Sequence, residues 1–255
     1  MLHPEPSGRG WPSDARMLRP VKLAERVAMA IVHDIAARGL APLAMLPPEA
    51  ELLATYSVGR ASLREALRLL EVQGLIVMKP GPGGGPMVAG VDSRHFGRML
   101  TLYLHVAGST FRDVLAARMA IEPVMARLAA ERRDGGHLAK LDQFLAHPPD
   151  PAVRPLRQMR SSLEFHAMVN GMSGNPVLDL FGQAVRHVYT DRQQGLAYPD
   201  HLRERVIREH AEIARAIRDG AADDAERLMR EHMSEFVSVS TARYPGMFDE
   251  LVDWF

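Results

Sequence analysis

Apolar residues recur at three- and four-residue intervals along most of the chain, and that spacing predicts one helix after another. Val27, Ala30, Ile31 and Ile35 share one face of a helix from Val21 to Arg38, closed by Gly39. After the loop Pro42 to Pro48, a second helix opens at Glu49, with acidic residues at the positive end of its dipole. A turn at Ser57 to Gly59 leads into a third helix, from about Arg60 to Gln73, whose apolar stripe is Leu63, Ala66, Leu67 and Leu70. The period then changes. Leu75 to Lys79 and Pro86 to Ala89 predict a short antiparallel pair around a glycine-rich tip, Pro80 to Gly85. From Ser93 onward no strand pattern returns. Helices are expected over Phe111 to Arg133, Leu138 to Ala146, Leu156 to Met172, Val177 to Leu196, Leu202 to Asp219 and Ala221 to Ser240.

These elements predict a mainly α chain: an N-terminal winged helix-turn-helix followed by an all-α antiparallel bundle. The expected boundaries are a disordered arm at 1–18, the winged module at 19–90, a linker at 91–99, the bundle at 100–240 and a loosely docked tail at 241–255. Arg9, Arg16 and Arg19 either brush phosphates or belong to a plain solvated arm.

Composition narrows the chemistry. The 255 residues include no cysteine, which excludes disulfides, thiolate metal sites and cysteine nucleophiles and suits a reducing cytoplasm. No run approaches the ~18 consecutive apolar residues of a membrane helix, and no secretory leader is apparent. The expectation is a cytoplasmic protein with no membrane partner. Net charge is zero, yet residues 16–80 hold nine Lys/Arg against six Asp/Glu, leaving 22 against 25 elsewhere. That asymmetry directs attention to the third helix, where Arg60, Arg64 and Arg68 stand four residues apart beside the leucine stripe. A helix anchored along one edge, offering guanidinium groups along the next, suits insertion into a DNA major groove. Ser62 adds a hydroxyl for a phosphate or base. Gly83, Gly84 and Gly85 at the tip would let backbone approach the flanking phosphates, unless the tip is simply a mobile loop.

The stretch LPPEAELLATYSVGRASLREALRLLEVQGLI resembles the DNA-binding signature of GntR-family bacterial transcription regulators. Leu46-Pro47, Glu49, Arg60, the run Leu63 to Leu67, Leu70 and Gly74-Leu75 carry the resemblance. One departure matters: the position after Glu49, commonly arginine in that family, is Ala50, which leaves more of the DNA contact to Arg60 and Arg64.

Three of the eleven histidines stand out in the second half. His210 and His232 lie ten and twelve residues from the break at Gly220, so two antiparallel helices meeting there bring them face to face. With His166 they suggest a divalent-metal site within a bundle. Core histidines satisfied by hydrogen bonds, or histidines that bind a ligand directly, are the alternatives. Together with Glu164-Phe165-His166 and Ser173-Gly174-Asn175-Pro176, this pattern resembles the FCD effector domain of FadR-type GntR regulators.

That resemblance implies Zn, Ni or Mn held by an aspartate and three histidines, here His166, His210 and His232, with a small carboxylate bound nearby. The aspartate belongs one turn before His166, where this chain has Ser162. Three imidazoles still suffice for Zn, leaving a position for water or the effector's carboxylate; His187 is an alternative fourth ligand. Glu164, two residues from His166, should face elsewhere. Arg118 and Glu122, four apart, form either a surface ion pair or, as the resemblance implies, a carboxylate clamp built on Arg118. Asn175 before Pro176 should cap a helix and has a possible secondary role toward the ligand.

The combined reading is a homodimeric, ligand-responsive regulator, most simply a repressor, that binds an inverted-repeat operator in duplex DNA and is not an enzyme. Two rivals remain open: a helical-bundle metalloenzyme using the histidine trio, and an architectural DNA-binding protein whose bundle only dimerises.

Overall fold

The structure is a computed structural model describing residues 22–90, 93–149, 155–193 and 200–254. The arm expected at 1–18 lies outside the described residues. The chain divides into two compact units, up to Asp92 and from Ser93.

In the first unit, α1 (Leu23–Ala37), α2 (Glu49–Tyr56) and α3 (Arg60–Val72) precede a hairpin of β1 (Ile76–Lys79) and β2 (Gly85–Val88). The strands are antiparallel, with Ile76 opposite Val88 and Lys79 opposite Gly85. Val27, Ile31, Leu52, Leu63, Leu67, Leu70, Ile76 and Val88 form one core. The inward face of α1 differs from expectation: Ala24 and Ala28 are buried with Val27 and Ile31, whereas Ala30 and Ile35 are only half-buried. α1 packs against α3, and Ala28 belongs to the core the two helices share. Ser57 ends α2 in the left-handed region, at φ 51°, and turns the chain into α3. The Tyr56 hydroxyl donates to Asp34 Oδ2 at 2.8 Å and ties α2 to α1.

The second unit contains α4 (Ser93–Val106), α5 (Phe111–Arg132), α6 (Gly135–Ala146), α7 (Pro155–Met172), α8 (Pro176–Gln193), α9 (Asp200–Asp219) and α10 (Ala222–Arg243). α5 is central, packing on α7, α8, α9 and α10. Residues 93–99, expected as linker, are helical. The most deeply buried positions of α4 are Gly97 and Thr101, and Leu100 and Leu104 pack partly buried against the core beside them. Asp134 does more than break the chain: its carboxylate accepts from the Gly136 and His137 amides and caps α6.

The end of the chain also departs from expectation. A single 3₁₀ turn, Met247–Asp249, places Phe248 in the core, and Val252 follows it; both are fully buried. Backbone bonds from Phe111 to Glu250 and from Val252 to Ser109 fasten this segment to the start of α5. It is an integral part of the bundle, not a loose tail.

Candidate functional site

On the first unit, α3 buries Leu63, Ala66, Leu67 and Leu70 and leaves Arg60, Arg64 and Arg68 exposed, with Ser62 half-buried. Arg64 Nε lies 3.4 Å from Glu49 Oε1, but both side chains are solvated, so the pair contributes little and can be exchanged for a phosphate. At the hairpin tip Gly83 is exposed, and Gly85 belongs to β2 rather than to the tip. Gly84 donates its amide to Gly81 at 2.9 Å. A Cβ there would fall 2.2 Å from the Lys79 carbonyl oxygen, so only glycine fits this turn.

On the second unit, α7, α9 and α10 bring His166, His210 and His232 together, all buried. His232 Nε2 is 3.2 Å from His210 Nε2 and 3.3 Å from His166 Nε2. The His210 ring stacks on Phe165, with centroids 4.1 Å apart and planes 19° apart, which fixes its orientation. Burial pushes the His166 imidazole below its ordinary pKa, against the pull of Glu122. His210 is pushed well below, first by burial and then by its two imidazole neighbours. Neutral imidazole is the form that ligates a metal.

Two carboxylates back this trio. Glu122 Oε2 stands 2.5 Å from His166 Nδ1, a close contact that is not aligned as a hydrogen bond, and neither atom has a hydrogen-bond partner among the described residues. Glu209 Oε2 lies 2.7 Å from His232 Nδ1. The second oxygen of each carboxylate accepts from an arginine one turn earlier on its own helix: Arg118 Nε at 2.6 Å from Glu122 Oε1 and Arg205 Nε at 2.8 Å from Glu209 Oε1. Burial alone would push the Glu122 carboxyl up, but the Arg118 guanidinium and His166 prevail and hold it well below the carboxylate range. At Glu209, burial is likewise outweighed by the contacts with His232 and Arg205, and its pKa is lowered.

Of the two readings of Arg118 and Glu122, the surface ion pair is excluded: their side chains are 7% and 5% exposed. The two outer carboxylates were not assigned to the trio from sequence. The four-residue spacing within each Arg–Glu pair was their only sequence signal.

The trio fits a divalent cation. In a tetrahedron with Zn–N near 2.0–2.1 Å, neighbouring nitrogens lie about 3.3 Å apart, and the separations from His232 Nε2 to the other two Nε2 atoms match that edge. His166, His210 and His232 are also the group of possible ligands that converges among the described residues, with donor atoms all within 4.8 Å of one another.

The other expected residues are placed as follows. Ser162 is buried on α7, one turn before His166, and Asn170 is buried one turn beyond it with its Oδ1 unsatisfied. Glu164 is exposed, as expected from its position. His187 packs against Gly97 of α4 and is not part of the trio's cluster, so it does not supply a fourth ligand. Asn175 is exposed, and its Oδ1 accepts from the Val177 and Leu178 amides, so the side chain is engaged in capping α8. Arg186 of α8 is a half-buried residue that sequence reasoning missed; burial lowers its pKa, and it senses both Glu164 and Arg118.

Comparison with known proteins finds two families. Residues 23–84 match "Bacterial regulatory proteins, gntR family", and residues 113–235 match the FCD domain. The chain is similar to the HTH-type transcriptional repressor NanR of Edwardsiella tarda, 28% identical over 96% of each chain. It is also similar to the putative HTH-type transcriptional regulator RmpR of Mycobacterium gastri, 29% identical over 86% of this chain and 80% of that one. Among solved structures, Streptococcus agalactiae GntR superposes with a TM-score of 0.64 at 27% identity, covering 84% of this chain and 98% of the other.

Proposed function

Because the chain belongs to the GntR family of bacterial regulatory proteins and carries an FCD domain behind its winged helix, we propose that it is a repressor governed by a small organic acid bound in the helical unit. The observation that carries the DNA-binding half is the solvent-facing row Arg60, Arg64 and Arg68 on a helix whose opposite face is buried. Arg60 and Arg64 contact base edges or phosphates, Ser62 and Arg68 adjacent backbone, and Gly83 to Gly85 let the hairpin lie against flanking phosphates. A homodimer presents two such helices to an inverted-repeat operator.

In the helical unit, His166, His210 and His232 are the residues that would hold a Zn, Ni or Mn ion. When bound, the ion supplies a Lewis-acidic anchor for a carboxylate. Arg118 adds cationic charge beside the trio, and Ser162 and Asn170 add small polar groups on the same face of α7. The acid alters operator affinity by favouring one arrangement of the dimer over another, a coupling of typically ~1–3 kcal/mol.

The test begins by selecting duplexes from a random pool with the full chain, then measuring affinity across a panel of small carboxylates with and without Zn, Ni and Mn. Enrichment of an inverted repeat whose affinity shifts with one carboxylate is expected. Affinity that stays constant across the panel would reduce the protein to a purely architectural DNA binder. Turnover of an acid or ester would make it an enzyme instead.

A further inference from the structure

The two Arg–Glu pairs beside the trio share one design. In each, an arginine and a glutamate four residues apart on one helix meet a histidine from another: Arg118–Glu122 of α5 with His166 of α7, and Arg205–Glu209 of α9 with His232 of α10. In each, one carboxylate oxygen receives the arginine Nε and the other meets the imidazole Nδ1. Arg205 additionally reaches Glu235 at 2.8 Å. One pair is buried; the other opens to solvent, with 45% of the Arg205 side chain exposed.

We propose that Glu122 and Glu209 are positioning residues that fix which nitrogen of His166 and of His232 carries the proton, so that both Nε2 lone pairs point at one centre. An ionised carboxylate only accepts. At 2.5 and 2.7 Å an oxygen and a bare ring nitrogen would repel, so the proton lies on Nδ1 in both rings. In the neutral rings that ligate a metal, Nε2 is then a lone pair in both, and those two atoms stand 3.3 Å apart. Adjacent lone pairs in a buried site favour a cation between them. His210 has no such carboxylate contact among its described bonds; its ring is oriented by stacking on Phe165 instead. In metal-free protein His210 is the ring that can donate its Nε2 proton to His232, across their 3.2 Å separation.

The arginines complete the device. Each occupies the far oxygen of its glutamate and so holds the near one toward the ring. The trio thus acquires anionic character without a carboxylate among its own donor atoms, because two carboxylates reach it through imidazoles.

This inference rests on the metal reading of the trio for its consequence, but not for its geometry. The discriminating variant is Glu209→Gln, at the more accessible of the two carboxylates. A glutamine matches glutamate in size but can also donate, so it permits the Nε2–H form that cannot ligate. Glu235→Gln is the control: it removes a neighbouring charge and a partner of Arg205 without touching His232.

Two quantities are read on the full chain: the tautomer of His232 in metal-free protein, from ring nitrogen shifts of ¹⁵N-histidine-labelled protein, and zinc affinity by competition with a chromophoric chelator. Wild type and Glu235→Gln should show Nδ1–H at His232. Glu209→Gln should show a mixture with Nε2–H and bind zinc about 10–100-fold more weakly. An unchanged tautomer together with zinc affinity within about twofold of wild type would overturn the proposal. A tautomer change in a protein whose wild type takes up no zinc would uphold the positioning role and remove the metal reading beneath it.

Discussion

Replacing Arg118 with alanine separates two accounts of the same four-residue spacing. An exposed i,i+4 pair on a helix contributes only about 0.2–0.5 kcal/mol. In the structure, however, the two side chains are 7% and 5% exposed and their heavy atoms 2.6 Å apart. Removing one partner of such a pair leaves the other charge buried without compensation, which costs about 3–5 kcal/mol. For a unit of this size, about 2–4 °C of melting temperature accompanies each kcal/mol, so the expected fall is about 6–20 °C.

The chain has two compact units, so the transition must be assigned to the right one. Trp254 belongs to the second unit, and Trp11 is the only other tryptophan. Urea unfolding followed by fluorescence in a Trp11→Phe background therefore reports on the bundle. Adding Glu122→Leu to Arg118→Met should recover a large part of the loss, because no buried charge is then left unpaired. A loss below about 1 kcal/mol for Arg118→Ala, or two single losses that simply add, would show that the pair behaves as if solvated and would refute its burial.

Three further outcomes follow from the first unit. Arg64→Ala should weaken selected-operator binding by about 1–3 kcal/mol in a titration if Arg64 makes a bidentate base contact; an equal loss on random duplex would assign it to phosphate. Gly84→Ala forces a Cβ against the Lys79 carbonyl, so the hairpin tip must rearrange. Operator affinity should drop while the unit's helical circular dichroism stays at the wild-type level; unchanged affinity would remove the tip from the interface. The Tyr56 hydroxyl is pushed up to about 12, by burial and then by its bond to Asp34. Its contribution is present below the unfolded tyrosine pKa near 10 and lost as pH rises through that window. Tyr56→Phe should therefore cost about 1 kcal/mol at neutral pH and abolish the corresponding loss of stability between pH 10 and 12, read by denaturant unfolding.

α3 was readable in the sequence because Leu63, Leu67 and Leu70 alternate with arginines over three turns. α4 was missed although Phe96, Leu100 and Leu104 recur at four-residue spacing, and its most deeply buried positions, Gly97 and Thr101, are small. The segment after Tyr244 reads as irregular because of Pro245 and Gly246, yet buried Phe248 and Val252 and the backbone bonds to Ser109 and Phe111 fasten it. His210 and His232 were legible as a facing pair from their distances to Gly220, since an antiparallel turn fixes which residues face each other, whereas His166 was added by the family resemblance. The carboxylates behind the trio were not legible. Glu122 and Glu209 look like ordinary members of helical Arg–Glu pairs, and only the packing of α5 on α7 and of α9 on α10 gives each a histidine as second partner.

Those same carboxylates bear on the enzyme alternative. A hydrolytic centre built on three imidazoles needs a base aimed at the reacting water. Glu164 and Glu209 lie within two residues of His166 and His210 in the sequence. Glu164 is exposed on a different face of α7 from His166. Glu209 directs one oxygen to His232 Nδ1 and the other to Arg205, and Glu122 is divided in the same way between His166 and Arg118. Their low pKa values follow from those partners, whereas a general base works best when its pKa is near the operating pH. Groups fixed in this way orient ligands and hold charge; they are poorly placed to move a proton. That is the chemistry of a site that binds a molecule and releases it unchanged, which is what the helical unit of a regulator requires.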